Sequence, residues 1–341
     1  MLKGYRVFLF LLLGLAIDLK GQDPQFSQFY AAPLYLNPAF AGSAELARVG
    51  LNYRNQWPSY PTNFVTYSGY FDYYFDDYNS GVGLLLLSDI EGLAGLRTNS
   101  VALQYAYQLR ITDGLIFRAG LEGSYVMQNI DKDNLIFGDQ IDFNGQFKDI
   151  TDDDIINRDF RNNFFDFGAG GLLYSDRFWV GFAAMHLLTP VNSMIEGDSE
   201  LDIKYSAHMG YKFLLPTATN FNFPGGFRDI SLTPTVQYKL QGQFSQLDAG
   251  LYFTYEPFVT GLWYRGLPFK PVDGISNHES LIFLVGVSTN GLHIGYSYDY
   301  TLSKLGIATG GAHEVSIRYE FFLGDPRKPP KNVRQIPCPK F

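Results

Sequence analysis

From residue 46 onward the dominant signal along the chain is alternation of apolar and polar residues with a period of two. In Glu314–Phe321, the residues Val315, Ile317, Tyr319 and Phe321 alternate with Glu314, Ser316, Arg318 and Glu320. Ile230–Gln241 repeats the pattern, with Leu232, Val236 and Tyr238 against Thr233, Gln237 and Lys239. Val101–Ile111 sets Leu103, Tyr105, Tyr107 and Leu109 opposite Gln104, Gln108 and Arg110. Successive side chains of a strand point to opposite faces, so each segment carries one apolar wall and one polar wall. The periodicity predicts fourteen strands, at 46–54, 63–75, 80–89, 98–111, 114–127, 163–174, 177–187, 203–213, 228–241, 244–255, 258–266, 278–289, 291–302 and 312–322.

A soluble sandwich alternates too, and two features separate the readings. Tyr and Phe gather on the apolar wall and near strand ends, as in the aromatic girdles of outer-membrane barrels. The segments also run to about ten to fourteen residues, longer than globular strands and suited to a tilted bilayer crossing. The fold class is therefore all-β: a transmembrane antiparallel outer-membrane β-barrel of about 14 strands. Such a sheet must close, because in lipid every backbone N–H and C=O needs an internal partner. Tight turns at Thr112-Asp113, Ser175-Asp176, Glu256-Pro257 and Asn290-Gly291 alternate with long connections at 129–162, 188–202 and 267–277. Short turns mark the periplasmic rim of such barrels and long loops the exterior. Segment 214–227 breaks this rule.

Composition agrees. The 341 residues include 30 Phe, 24 Tyr, 3 Trp and 35 Gly, and only 18% are charged. That much apolar material excludes disorder, while no run of about 18 apolar residues follows the N-terminal region, which excludes a helical membrane protein. A net charge of −8 argues against a nucleic-acid partner. The single cysteine, Cys338, supports neither a disulfide framework nor a cysteine-based zinc site. At the start, Lys3 and Arg6 precede an apolar Val7–Ala16 stretch, which reads as a signal peptide over 1–21. The expected organisation is then a periplasmic segment or plug at 22–45, a barrel at 46–322 and a Pro-rich basic periplasmic tail at 323–341.

Catalytic and metal signatures are weak. Asp131–Asp159 is strongly acidic, but Asp131–Ile136 lacks the sixth-position glycine of an EF-hand loop, and a solvated external loop is the simpler reading. His278-Glu279 and His313-Glu314 begin like a zinc-protease motif without its second histidine. Gly168, Gly170 and Gly171 lie within a strand, where missing side chains suit a crowded lumen. Neither enzymatic activity nor a cofactor is expected. Arg110, Arg118, Glu122, Arg318 and Glu320 fall on the polar wall and are the lumen-facing candidates.

Residues 22–57 look unlike generic barrel sequence. Gln22-Asp23-Pro24-Gln25-Phe26-Ser27-Gln28-Phe29-Tyr30 runs into Leu36-Asn37-Pro38-Ala39-Phe40, and Tyr53-Arg54-Asn55-Gln56-Trp57-Pro58 follows. With Gly310–Tyr319 and the terminal Cys338-Pro339-Lys340-Phe341, this block resembles the PorP/SprF family of outer-membrane proteins of the type IX secretion system. The resemblance implies an accessory barrel in the outer membrane of a Gram-negative bacterium, both termini periplasmic. Such a barrel assists secretion or surface anchoring of specific cargo such as adhesins, in some members for gliding motility. Its partners would be outer-membrane lipid, the secreted cargo and other secretion components. Asp23, Pro24, Gln25, Phe26, Ser27, Gln28, Asn37, Pro38, Arg54, Gln56 and Trp57 carry the motif and are the partner-docking candidates. Packing of the 22–43 block at the periplasmic mouth in support of the barrel explains it equally well. A passive porin for small solutes stays open as the alternative, although fourteen strands enclose less space than the 16–18 of aqueous porins.

Overall fold

The alternating segments pair in chain order into one antiparallel sheet that closes on itself. The computed structural model describes residues 23–60, 64–92, 94–131, 135, 138–141, 151, 160–193, 199–215, 230–272, 275–303, 306–323 and 336–340. The signal-peptide reading, segment 214–227 beyond Leu215 and most of the acidic loop lie outside them.

The strands are β1 Ala47–Gln56, β2 Phe64–Phe75, β3 Ser80–Glu91, β4 Leu96–Thr112, β5 Leu115–Asn129, β6 Arg161–Tyr174 and β7 Phe178–Met185. There follow β8 Lys204–Tyr211, β9 Phe213–Leu214, β10 Ile230–Gln241, β11 Phe244–Tyr255, β12 Phe258–Val272, β13 Ile275–Thr289, β14 Leu292–Thr301 and β15 Ala312–Phe321. β8 and β9 pair with β10 in one continuous register, interrupted where Pro234 has no N–H to donate. They form a single stave, and the barrel has 14. The first and last strands close the ring, from Ala47 opposite Phe321 to Gln56 opposite Ala312.

Chain order divides the connections between two rims. The turn rim carries 113–114, 175–177, 256–257 and 290–291, together with the start of β1 and the end of β15. The loop rim carries the connections after β1, β3, β5, β7 and β14. One expectation fails here. The stretch 267–277 is not a long loop: β12 and β13 continue into it as a hairpin, with register breaks after Arg265 and after Leu267.

Outside, the wall is apolar, with Leu51, Leu103, Leu121 and Phe165 each more than half exposed. This is the surface a bilayer would cover. No helix among the described residues is long and apolar enough to cross a membrane. The apolar core lies inside instead. Phe29, Tyr30, Leu34, Ala39 and Phe40 of the N-terminal segment pack with inward-facing Trp179, Trp263, Tyr174 and Tyr252 in one buried cluster.

Candidate functional site in the lumen

Residues 23–45 run through the barrel from one mouth to the other. The segment starts at the loop rim, where Asp23 accepts from Lys204 Nζ (2.9 Å) and Gln241 Nε2 (3.1 Å) and meets His186 Nε2 at 2.8 Å. It ends at the turn rim, where β1 begins. The expectation of a block confined to the turn-side mouth is therefore corrected. A chain with three prolines in this stretch cannot add to the sheet, so it satisfies its backbone from the wall.

That satisfaction is residue by residue. The backbone N–H groups of Ser27 and Gln28 both donate to the Glu314 carboxylate, at 2.7 and 2.9 Å. Arg54 reaches the same carboxylate at 3.3 Å and Asp299 at 2.9 Å, and also donates to Ser27 Oγ (2.8 Å) and Gln56 Oε1 (3.1 Å). Ser316 Oγ donates to Gln28 Oε1 at 2.7 Å. Tyr70 donates to the Ala31 carbonyl and Gln104 to that of Leu34, at 3.0 and 2.8 Å. Lower down, Arg118 bonds the carbonyls of Ala39 and Ala41, and Arg48 bonds that of Phe40 at 3.1 Å. Asp72 accepts from the Gly42 N–H (2.7 Å) and holds Arg48 at 2.8 Å. Inward Arg and carboxylate side chains thus replace the water that would otherwise solvate this backbone.

Asn37 and Pro38 explain their own motif. Pro33 opens a single helical turn, α1 (Pro33–Leu36), and Pro38 opens a 3-10 turn (Pro38–Phe40), each where a missing N–H costs nothing. Asn37 caps the second turn, its Oδ1 accepting from Ala39 N–H at 2.9 Å, while Nδ2 donates to Gly171 and Phe182 carbonyls at 3.1 Å each. The wall makes room with glycine. A Cβ on Gly170 would stand 2.9 Å from Asn37 Cγ, and one on Gly120 would stand 2.6 Å from Ala39 Cα.

The eleven motif candidates separate into two groups. Asp23, Pro24, Gln25, Arg54, Gln56 and Trp57 share a cleft of about 310 Å³ at the loop mouth, with Asp89 and Glu91 on its acidic side. Trp57 and Phe64 form its edge-to-face aromatic side, with ring centres 5.4 Å apart. Phe26, Ser27, Gln28, Asn37 and Pro38 lie deeper, all buried. Among the lumen candidates, Arg118, Glu122, Arg318 and Glu320 are buried in the interior. Arg110 is not: it keeps inward parity but sits near the end of β4, beyond the last plug contact, and is exposed. Sequence reading overlooked Tyr35, His186 and Lys204. Lys204 opens β8, His186 follows the end of β7 and Tyr35 sits in α1, so only the fold, not any spacing, brings them to the Asp23 end of the segment.

These residues latch the start of the segment. His186 bridges Asp23 and Asp166, at 2.8 and 2.6 Å, and Tyr35 hydroxyl donates to the Pro24 carbonyl. Burial alone would raise Asp23, but the charges of His186 and Lys204 hold it well below the ordinary carboxylate value. Burial would lower His186, and the Asp23 charge together with the hydrogen bonds that the ring donates to Asp166 and Asp23 overrides it, lifting the imidazole to about 10.

The tail also departs from expectation. Its described end, 336–340, turns back into the barrel: Ile336 joins the buried cluster, Cys338 packs against it and Lys340 Nζ donates to Glu320 at 3.1 Å. Among the described residues no cluster of His, Cys, Asp or Glu could hold a metal ion.

Comparison with known proteins gives one family match. A family model described as type IX secretion system membrane protein PorP/SprF covers residues 18–319. No curated protein matches the chain. Among solved structures, the chain is similar to the Ralstonia pickettii toluene transporter TbuX at 12% identity, covering 85% of this chain and 94% of that one, with a TM-score of 0.46. A Pseudomonas aeruginosa FadL homologue matches at 11% identity over 83% and 93%, with a TM-score of 0.42. A mutant Rh. blastica porin matches at 9% identity over 81% and 98%, with a TM-score of 0.32.

Proposed function

The chain belongs to the PorP/SprF family of type IX secretion system membrane proteins, and from that premise we propose a non-enzymatic accessory barrel that assists secretion or surface anchoring of specific cargo. Family membership makes it an outer-membrane β-barrel component of a secretion system. The finer reading is ours: the cargo includes large adhesins, some serving gliding motility, and the loop rim faces the exterior. The observation that carries it is the occupied lumen. Residues 26–34 and 36–44 are buried inside the ring and bonded to its wall, which favours a rigid docking body over a passive porin. The cleft at the loop mouth, where the motif residues meet, offers the cargo or a partner its surface.

Deletion of the gene, followed by comparison of surface proteins, tests this reading. One or a few large surface proteins should be lost while small-solute permeability stays intact. An unchanged surface proteome with reduced solute uptake would return the porin. Cysteines placed at exposed Ser59 on the loop rim and Asp113 on the turn rim test orientation, since only the first should label in intact cells.

A further inference from the structure

Two rows of outward-facing side chains cross the wall over β15 and β1 to β4. In the row nearer the loop rim, Tyr53 stands opposite Tyr67, Tyr67 opposite Ser88 and Ser88 opposite Asn99. In the next row toward the turn rim, Ile317, Leu51, Gly69, Leu86 and Val101 are matched in the same way. Together the two rows border a groove of about 570 Å³ on the outer wall. Glycine makes the groove. Leu51 and Leu86 flank Gly69 as its register partners, and the missing side chain leaves a trough between them. A Cβ there would stand 3.3 Å from Leu51 Cδ2 and begin to fill it.

The loop-side row departs from the apolar rule of a lipid-facing wall. Ser88 and Asn99 point outward by strand parity and are half-buried. Neither they nor the hydroxyls of Tyr53 and Tyr67 have a side-chain hydrogen bond among the described residues. The row lies three residues in from the loop-side ends of β1 to β4, about 10 Å along each strand. That is the level at which an aromatic girdle meets the lipid–water boundary. Arg97 stands one outward position further toward the rim on β4, exposed and without an ion pair among the described residues. Successive outward residues are about 7 Å apart along a strand. From the membrane interior to its edge, the outer face of β4 therefore reads Val101, Asn99, Arg97: apolar, neutral hydrogen-bonding, cationic. A phosphorylated lipid has the same order, with hydrocarbon chain, ester or amide linkage, and phosphate.

We propose that this groove binds one phosphorylated membrane lipid from the leaflet on the loop side. An acyl chain lies over Gly69, the linkage meets Ser88 and Asn99, and the phosphate meets Arg97. What covers the groove follows from its place in the fold: it continues the wall that a bilayer covers, so hydrocarbon and not water fills it. Plain hydrocarbon would leave the polar row unpaired, whereas the carbonyls of a lipid linkage accept from it. Charge complementarity at Arg97 favours a phosphate there. The groove faces away from the lumen and from the cleft at the loop mouth, so it is independent of any cargo role.

The test is native mass spectrometry of the full mature chain, folded in detergent micelles. Dipalmitoyl phosphatidylglycerol is titrated against dipalmitoylglycerol, which has the same chains without the phosphate. The wild-type barrel should retain one phosphatidylglycerol saturably and hold the diacylglycerol about tenfold more weakly. Arg97→Gln should remove that difference. Asn99→Leu should weaken both lipids about tenfold. Gly69→Leu, which fills the trough, should abolish both adducts. Gly123→Leu, at an outward glycine of β5 outside the groove, should leave them unchanged. Heat-modifiable migration on gels checks that each variant is folded, and if Gly69→Leu is not, Asn99→Leu and Arg97→Gln decide the matter. No retained lipid in the wild type, equal retention of the two lipids, or undiminished adducts in the folded variants overturns the proposal. A lipid-free species of two chains would assign the groove to a second copy of this protein and overturn it equally.

Discussion

Gly120→Ala is the sharpest test of the occupied lumen. Its added Cβ would lie 2.6 Å from Ala39 Cα and nearer still to Ala39 N and the Pro38 carbonyl carbon. Carbon atoms in contact prefer about 3.5–4.0 Å, so the overlap is about 1 Å. All three opposing atoms are backbone of the turn that Asn37 caps, and none can swing away as a side-chain end could. Overpacking of this kind typically costs about 1–3 kcal/mol. At about 3 kcal/mol the ratio of seated to released segment would fall about 100-fold. The outward-facing Gly123 supplies the control, because a Cβ there would meet Phe167 at an ordinary 3.6 Å. Limited proteolysis of the folded barrel, read by N-terminal sequencing, should cut within 23–45 in Gly120→Ala and spare Gly123→Ala. Conductance in planar bilayers should rise in the first variant alone. Indistinguishable behaviour of the two alanine variants would refute the seating of residues 37–41 against β5.

Three further outcomes are expected. Asn37→Ala removes three hydrogen bonds, one of them the cap of the 3-10 turn, and should lower stability by about 2–3 kcal/mol in denaturant titration. The latch at Asp23 should depend on pH in a defined window. Asp23 is depressed, so its contribution is present above its ordinary 3.8 and lost as pH falls through its folded value. His186 is raised, so its contribution is full below 6.5 and lost as pH rises through about 10. Protection of the N-terminal segment from protease should therefore be greatest between those two ordinary values and fall toward alkaline pH, and His186→Gln should remove the alkaline fall. Finally, Cys338 is half-buried and its thiol is pushed up by burial, so maleimide should label it slowly in the native barrel and rapidly in Ile336→Asp; equal rates would mean that the tail is not seated.

The period-two pattern by itself determined the barrel, because a lipid-facing wall and an inward wall must alternate along every stave. Val315, Ile317 and Tyr319 face outward and Glu314, Ser316, Arg318 and Glu320 inward, as their spacing requires. Strand ends were less legible: β12 and β13 pair on past Gly266, where alternation gives no signal, and Arg110 keeps inward parity at a level where nothing covers it. The motif Asp23–Gln28 with Asn37-Pro38 stood out as a string, but nothing in the string says that it threads the ring. That is decided by contacts separated by hundreds of residues, such as Ser27 with Glu314 and Asp23 with His186 and Gln241. The same holds for Ile336, which joins a core formed by residues far away in the chain and carries no local mark of burial. Local spacing fixes which way a side chain points, whereas closure of the sheet decides what it meets there.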